Sequence, residues 1–595
     1  LTESQGGNIV RTDMRTREQQ LVVPYMGDDG GPAESARYRF NWNSPVVPSP
    51  HDKNTVYLTG NVVFKSNDFG RTWTTISPDL TTNDKAKQKA AGGPVAFENT
   101  GAEYHTTVIS FAESPVRAGV LWAGTDDGNL QLTTDGGKNW TNVVKNVPGL
   151  AANSAVSHVE PSLTDADAAY VSFDRHQLDD RRPYVFRTSD GGRTFQNITG
   201  NLPASAYVWI VREDPRNARL LYAGTELGLY VSYTGGNNWT SLALKNLPSV
   251  AVHDIIVHPR DNDLIIATHG RSLYVLDDAA PIQQMTADVA RADAYLFEPR
   301  PALRYTTRMT RYGVAEKAFA GANPPYGALL SYYLKTKPDE KTKVRFQILD
   351  AAGKTISEIE NVAKEQGLNR VNWNLRYGGP QVRRPPTDEE TQFTGGPRGP
   401  QVLPGTYTVR LLVGDKSYER KVEVRLDPTI SVQASDLKET LDTMLRLRDM
   451  QTATNNALRT LDSLKSQIEF VERTVKDRLG ASDVPKDLTD RLAAQKKRVE
   501  ELQNRLAQPE GGLGFEGRAQ LVDRIGSLFF TLDSTNAAPT PAARELYADL
   551  QKEFGEKVGE VNAFLNDAVP PLNEALRRVG APTLMTGKPI ELPKP

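Results

Sequence analysis

Four carboxylates and five histidines stand where turns meet strand-like runs in the first half of the chain, and their chemistry sets the question. Asp126, Asp127, Asp174 and Glu226 each follow a short apolar stretch. A pair of such carboxylates about 5 to 9 Å apart cleaves a glycosidic bond, one as acid and the other as base or nucleophile. If hydrolysis occurs, Asp126, Asp174 and Glu226 are the catalytic candidates. All seven histidines fall between His51 and His269, and His105, His158, His176, His253 and His269 lie near strand ends. Histidines beside carboxylates can also ligate a metal, but no ligand spacing supports one, so neither a metal nor a cofactor is expected. The same groups also serve as hydrogen-bonded structural partners. With no cysteine in the chain, thiolate metal sites, cysteine nucleophiles, iron–sulfur clusters and disulfide frameworks are excluded.

Composition narrows the partners. The 595 residues carry 71 Lys and Arg against 73 Asp and Glu, a formal charge of −2. Nothing there draws nucleic acid or anionic lipid. No apolar run approaches the ~20 residues of a membrane helix. The chain begins at Leu1 and opens inside a strand-like run, Asn8 to Thr12, so sequence upstream is expected.

The elements that position these side chains come from a repeat. Ser66-Asn-Asp-Phe-Gly-Arg-Thr-Trp73 returns as Thr133-Thr-Asp-Gly-Gly-Lys-Asn-Trp140, as Thr188-Ser-Asp-Gly-Gly-Arg-Thr-Phe195 and, with Thr234 in place of Asp, as Ser232-Tyr-Thr-Gly-Gly-Asn-Asn-Trp239. Short alternating stretches precede each copy, and a fifth copy, Ile255 to Asp278, lacks the last turn. One small antiparallel sheet per copy, repeated at about 45 residues, predicts a β-propeller, with loops inserted where the spacing stretches. Within each turn the Asp is expected to cap backbone amides, the Gly to supply positive φ, and the aromatic to pack between sheets. Asp68, Asp135 and Asp190 are therefore structural.

Each turn joins the third and fourth strands of its sheet. The opposite rim carries the second-to-third-strand loops and the connections between sheets. Arg39, Trp42, His105, Asp126, Asp127, Asp174, His176, Glu226, His269 and Arg271 fall on that rim and are the ligand-binding candidates.

The turns resemble the Asp box of sialidase-type and sortilin-type propellers. Arg37-Tyr-Arg-Phe-Asn-Trp42, Asn99-Thr-Gly-Ala-Glu-Tyr104, Asp174-Arg-His-Gln-Leu-Asp-Asp180 and Thr268-His-Gly-Arg-Ser-Leu-Tyr-Val-Leu-Asp-Asp278 extend the likeness to bacterial exported proteins with a sortilin-like (Vps10-type), BNR-repeat, glycosyl-hydrolase-like propeller. The resemblance covers residues 1 to 280. It implies an exported location (secreted, periplasmic or on the cell surface), a ligand-binding propeller and further N-terminal blades. The chain departs from sortilin in having no cysteine-rich module, and from sialidases in lacking their arginine triad, tyrosine nucleophile and Arg-Ile-Pro signature.

Beyond Asp278 histidine disappears and the pattern changes. Residues 290–428 alternate again, and Gly367-Leu-Asn-Arg-Val-Asn-Trp373 with Leu403-Pro-Gly-Thr-Tyr407 resembles an Ig-like domain of the flagellar-hook-capping type. Residues 378–404, rich in Pro, Gly and Arg, predict a projecting loop in which Arg383, Arg384 and Arg398 could meet an acidic partner. Residues 433–580 turn to helical periodicity, predicting an antiparallel four-helix bundle broken or kinked at Pro570-Pro571, with 581–595 as an extended tail.

The expected fold is thus multidomain: an all-β Asp-box propeller over 1–285, an Ig-like β-sandwich and an α-helical bundle. The expected function is non-catalytic binding or assembly outside the cytoplasm. The propeller face would hold a peptide, glycan or protein partner, within an envelope or surface assembly. The rivals are a glycoside hydrolase working through rim carboxylates and a purely structural subunit.

Overall fold

A computed structural model describes residues 1–27, 31–90, 95, 101, 103–306, 323–388, 391, 396–480, 483–508 and 519–591. The likeness at Asn99, Thr100 and Ala102, part of the 378–404 loop and the last four residues of the tail lie outside them. The fold is β-rich and multidomain with a C-terminal helical region, in two compact units, Leu1–Ala287 and Asp288–Pro595.

The first unit is a series of small antiparallel sheets, each a simple meander. The first sheet has three strands, Thr2–Glu3, Ile9–Thr12 and Gln19–Leu21. Four four-stranded sheets follow. The second is Val46–Pro48, Val56–Thr59, Val63–Ser66 and Thr74–Thr75. The third is Val108–Glu113, Leu121–Thr125, Leu130–Thr133 and Thr141–Asn142. The fourth is Ala155–Pro161, Ala169–Arg175, Asp180–Thr188 and Gln196–Asn197. The fifth is Val208–Asp214, Asn217–Thr225, Gly228–Ser232 and Thr240–Ser241. The sixth has three strands, Val252–Val257, Leu264–Thr268 and Leu273–Leu276.

The second strands are buried along their whole length in the second to fifth sheets, apart from their ends, because each sheet is covered by its neighbours. Close approach explains the repeated Ala-Gly-Thr. A Cβ on Gly124 would lie 2.4 Å from Val156 Cγ1, and one on Gly224 would lie 2.5 Å from the Val252 carbonyl oxygen. A side chain at either position would push the next sheet away.

The repeated turns are capped as their residue types require. Asp135 accepts hydrogen bonds from the Thr133 hydroxyl (2.7 Å), the Asn139 amide (3.0 Å) and the Asn139 side chain (2.7 Å). Asp68 and Asp190 do the same with Thr72 and Thr194. Hydrogen bonds from these partners hold all three carboxyls down at about 2. Thr234 keeps one cap, accepting from the Asn238 amide through its hydroxyl. The tryptophans reach back to the preceding sheet: Trp73 Nε1 donates to the Val22 carbonyl, Trp140 to Ile76 and Trp239 to Ile198.

In the second unit, a three-stranded sheet (Ala294–Leu296, Ala328–Leu334, Gly367–Trp373) and a five-stranded sheet (Ala302–Arg304, Lys416–Leu426, Gly405–Val413, Val344–Leu349, Thr355–Ile359) share one core. Trp373, Tyr332, Phe346 and Leu411 fill it. Five helices follow among the described residues, Ala434–Leu479, Lys486–Leu506, Leu521–Asp533, Pro541–Asp567 and Val569–Arg578. That is one more than the periodicity predicts. The chain breaks at Ala568, and Pro570-Pro571 opens a new helix, where missing amide donors cost nothing. The tail packs, with Leu584 and Ile590 buried and held by Asn573 and Asn562.

The loop predicted to project instead docks. Arg383 grips Asp462 through two hydrogen bonds (2.5 and 2.7 Å), and Asn455 donates to the Gln381 carbonyl. Arg398 and Arg376 both meet Asp533. The acidic partner of Arg383 and Arg398 is the chain's own helical region. Among the described residues no helix is long and apolar enough to cross a membrane.

Candidate functional site

Strand ends build the site. In the third to sixth sheets the first strand carries a register shift at its start, at Val108/Ser110, Ala155/His158, Val208/Ile210 and Val252/Asp254. A bulge bends the strand and re-aims the extra side chain. In the fifth and sixth sheets the extra residues are Trp209 and His253.

These two rings sit in the middle of a row. Tyr207 stacks on His176 with centroids 4.7 Å apart and planes 12° from parallel. His176 and Tyr207 both flank Trp209. Trp209 lies 4.1 Å from His253, and His253 lies 4.8 Å from His269. Five rings from three successive sheets thus run along the rim.

Two carboxylates orient the row. Asp174 binds His176 Nδ1 at 2.5 Å and accepts the His176 backbone amide at 2.9 Å. Glu226 accepts the Trp209 indole N–H at 3.1 Å. Burial, then a hydrogen bond with Glu226, pushes the Tyr207 phenol well above its ordinary value, so it stays a neutral donor. Burial, then His269, lowers the His253 imidazole.

The other predicted residues form a second group. Asp126 accepts the Thr107 amide (2.9 Å) and hydroxyl (2.8 Å) and faces His105 Nδ1 at 3.4 Å. That hydrogen bond raises the His105 imidazole above its usual range. Asp127 is buried and accepts from the Thr82 amide and hydroxyl and from Thr125. Arg39, also buried, binds Asp79 (2.6 Å), the Thr106 carbonyl and Thr81. These contacts tie loops to sheets. Trp42 is 48% exposed, and Arg271, two residues after His269, is exposed.

Tyr207 and Trp209 escaped the sequence reading, and the one available signal was an aromatic pair at a strand start after Pro203. A part-buried network on the first strands was also missed. Arg212 joins Glu160 (2.6 Å), Asp254 (2.9 Å) and the Ile255 carbonyl across three sheets. Burial acts to raise Glu160, but Arg212 and His158 outweigh it and leave the carboxyl low. Burial lowers His158.

Among the described residues no group of three or more His, Asp or Glu is placed to hold a metal. A polar cavity of about 330 Å³ in the second unit is lined by charges already paired, Arg383 with Asp462 and Lys465 with Glu500.

No protein-family model matches the chain, and no curated protein matches it. Among solved structures, an ancestral GH74 enzyme is 14% identical with a TM-score of 0.28, over 68% of this chain and 48% of that one. The GH74 enzyme of Niastella koreensis is 13% identical with a TM-score of 0.32, over 70% of each chain. YCF48 bound to D1 peptide is 16% identical with a TM-score of 0.26, over 42% of this chain and 70% of that one. The chain spans about half the length of the first of these. Likenesses at this level assign neither activity nor ligand.

Proposed function

We propose that the first unit belongs to an Asp-box β-propeller whose rim is a binding surface, and that the protein works by binding outside the cytoplasm. One observation carries this reading: the row His176, Tyr207, Trp209, His253 and His269 spans three sheets, with Tyr207 buried and the other four rings at least partly accessible. Such a row offers ring surface held in place from within, since Glu226 takes the Trp209 N–H and Asp174 takes His176 Nδ1, and leaves the His253 and His269 imidazoles as polar groups at one end. That suits an oligosaccharide or an extended peptide laid across the sheets. Asp174 and Glu226 hold the rings and leave carboxylate oxygens beside them. The second unit, read as an Ig-like sandwich joined to helices, would place this rim in an envelope or surface assembly.

Screening the protein on glycan and peptide arrays, then titrating hits by calorimetry, tests the reading. Trp209→Ala should weaken any true rim ligand by roughly tenfold or more, as loss of a central aromatic anchor does. Ligands that bind equally well to that variant would place the function elsewhere. A glycoside hydrolase remains the second reading, because Asp174 and Glu226 both approach Tyr207. Hydrolysis of an array glycan, lost in Asp174→Asn or Glu226→Gln, would replace the binding reading.

A further inference from the structure

In the second to fifth sheets the fourth strand is a two-residue addition. It reads Thr74-Thr75, Thr141-Asn142, Gln196-Asn197 and Thr240-Ser241. An aliphatic residue follows each time: Ile76, Val143, Ile198 and Leu242. Its amide donates to the carbonyl of the residue that begins the paired stretch of the third strand, Val63, Leu130, Val185 or Leu229, at 2.8–2.9 Å. The four sheets therefore share one docking rule, a polar–polar–aliphatic segment antiparallel to the third strand.

Among the described residues the sixth sheet stops at its third strand, Leu273–Leu276. The chain leaves through Asp277-Asp278 into a short helix, Ala280–Gln283, and Asp278 accepts the Ala280 amide at 3.1 Å. The Thr268 amide bonds the Ser272 carbonyl at 3.1 Å, and the register then pairs Ile266 with Tyr274 and Leu264 with Leu276. Antiparallel pairs alternate, so Leu273 and Val275 turn their N–H and C=O groups away from the sheet. In the complete sheets these are the positions that receive the fourth strand, as Val63 and Lys65 do. Leu273 is 65% exposed and Val275 57%. The strand Leu-Tyr-Val-Leu has no charge, proline or bulge to blunt it, the devices that protect a free edge.

We propose that Leu273–Leu276 is a strand-addition site for an extended polar–polar–aliphatic peptide segment of a partner protein. The first polar residue opposes Val275 and the second opposes Tyr274. The aliphatic residue opposes Leu273, donates its amide to the Leu273 carbonyl and covers the Leu273 side chain. Main-chain bonds supply affinity, and the aliphatic contact supplies selectivity.

The test is fluorescence anisotropy of the full chain with a labelled peptide copying residues 195–199, Phe-Gln-Asn-Ile-Thr. Saturable binding is expected. Val275→Pro should weaken it by about tenfold or more, since an outward amide is lost, while Val275→Thr should hold it within about twofold. The Val275 amide serves no partner inside the sheet, so the proline variant should keep its circular dichroism. A peptide N-methylated at Ile should not bind, which tests the bond to the Leu273 carbonyl without altering the protein. Absence of saturable binding, or equal binding by the N-methylated peptide, would overturn the proposal. So would self-association that Val275→Pro abolishes without any peptide binding, which would make a second copy the occupant.

Discussion

Trp209 and His253 face each other with ring centroids 4.1 Å apart and planes inclined by 37°, although they lie on different sheets. Each is the extra residue of a bulge at the same point of its sheet, so a repeated backbone irregularity produces the contact. This pairing makes the indole a reporter of the imidazole.

A protonated imidazole quenches a neighbouring indole, so the Trp209 emission should fall on acidification. The chain has seven tryptophans, so the signal is the difference between the native protein and Trp209→Phe. Its midpoint should lie below 6.5, because burial and then His269 lower the His253 imidazole from that value. The folded state gives up a proton that the unfolded chain keeps. Stability contributed by the neutral ring is therefore lost as pH falls through 6.5 toward the folded-state value. His253→Asn should abolish the transition, and a midpoint at or above 6.5 would contradict the burial argument.

Gly224→Ala should destabilise the first unit by about 3 kcal/mol, the upper end for overpacking, because the obstacle is the Val252 carbonyl oxygen and not a flexible side chain. Gly559→Ala is the control. It lies in the helix Pro541–Asp567 with nothing within 4 Å of the new Cβ, and should stabilise by about 0.5–1 kcal/mol. Chemical denaturation of both variants separates the two outcomes.

In the turn at Asp135, carboxyl-detected NMR should find a pKa of about 2, against 3.8 for an ordinary Asp. The Asn139 side chain is the largest cause, followed by its backbone amide. Asn139→Ala should therefore raise the Asp135 value toward 3.8 while leaving Asp68 and Asp190 at about 2. With the folded value depressed, the turn's stabilisation is present above 3.8 and is lost as pH falls toward 2. A value for Asp135 that ignores Asn139 would show that the turn is not held by this cap.

Asp533→Ala should cost the second unit about 3–5 kcal/mol, since it strips the carboxylate from a buried cluster of guanidinium groups. Arg376 binds Asp533 at 2.8 and 3.0 Å, Arg398 reaches it at 3.4 Å, and the Asp533 side chain is only 4% exposed. Asp288→Ala breaks the exposed pair with Arg291 and should change stability by less than about 1 kcal/mol. Equal effects of the two, in urea midpoints followed by circular dichroism, would mean the Asp533 cluster is solvated.

Local patterns carried much of this protein. Asp, Gly and an aromatic residue at set offsets specify a turn by their own short-range bonding, so the repeated small sheets were legible from Ser66 to Trp239. Period-3.6 stripes likewise marked the helices, and Pro570-Pro571 marked the break within them. The rim as a region was legible too, because loop order along a meander decides which end of a sheet a residue occupies. Neighbourhood was not. Asp126 and Asp127 are carboxylates like Asp174 and Glu226, yet they and Arg39 close loops, because Thr82, Thr107 and Asp79 arrive there from other segments. Tyr207 and Trp209 carried no signal of a site beyond their place at a strand start, because a bulge sets Trp209 in a row with three histidines from neighbouring sheets. The loop at Arg383 was expected to project because its partner, Asp462, is 79 residues away. Sequence alone determined the elements, whose bonds span a few residues. Only the tertiary structure decided which polar groups meet, because those contacts depend on bulges, sheet order and loop docking that no local pattern encodes.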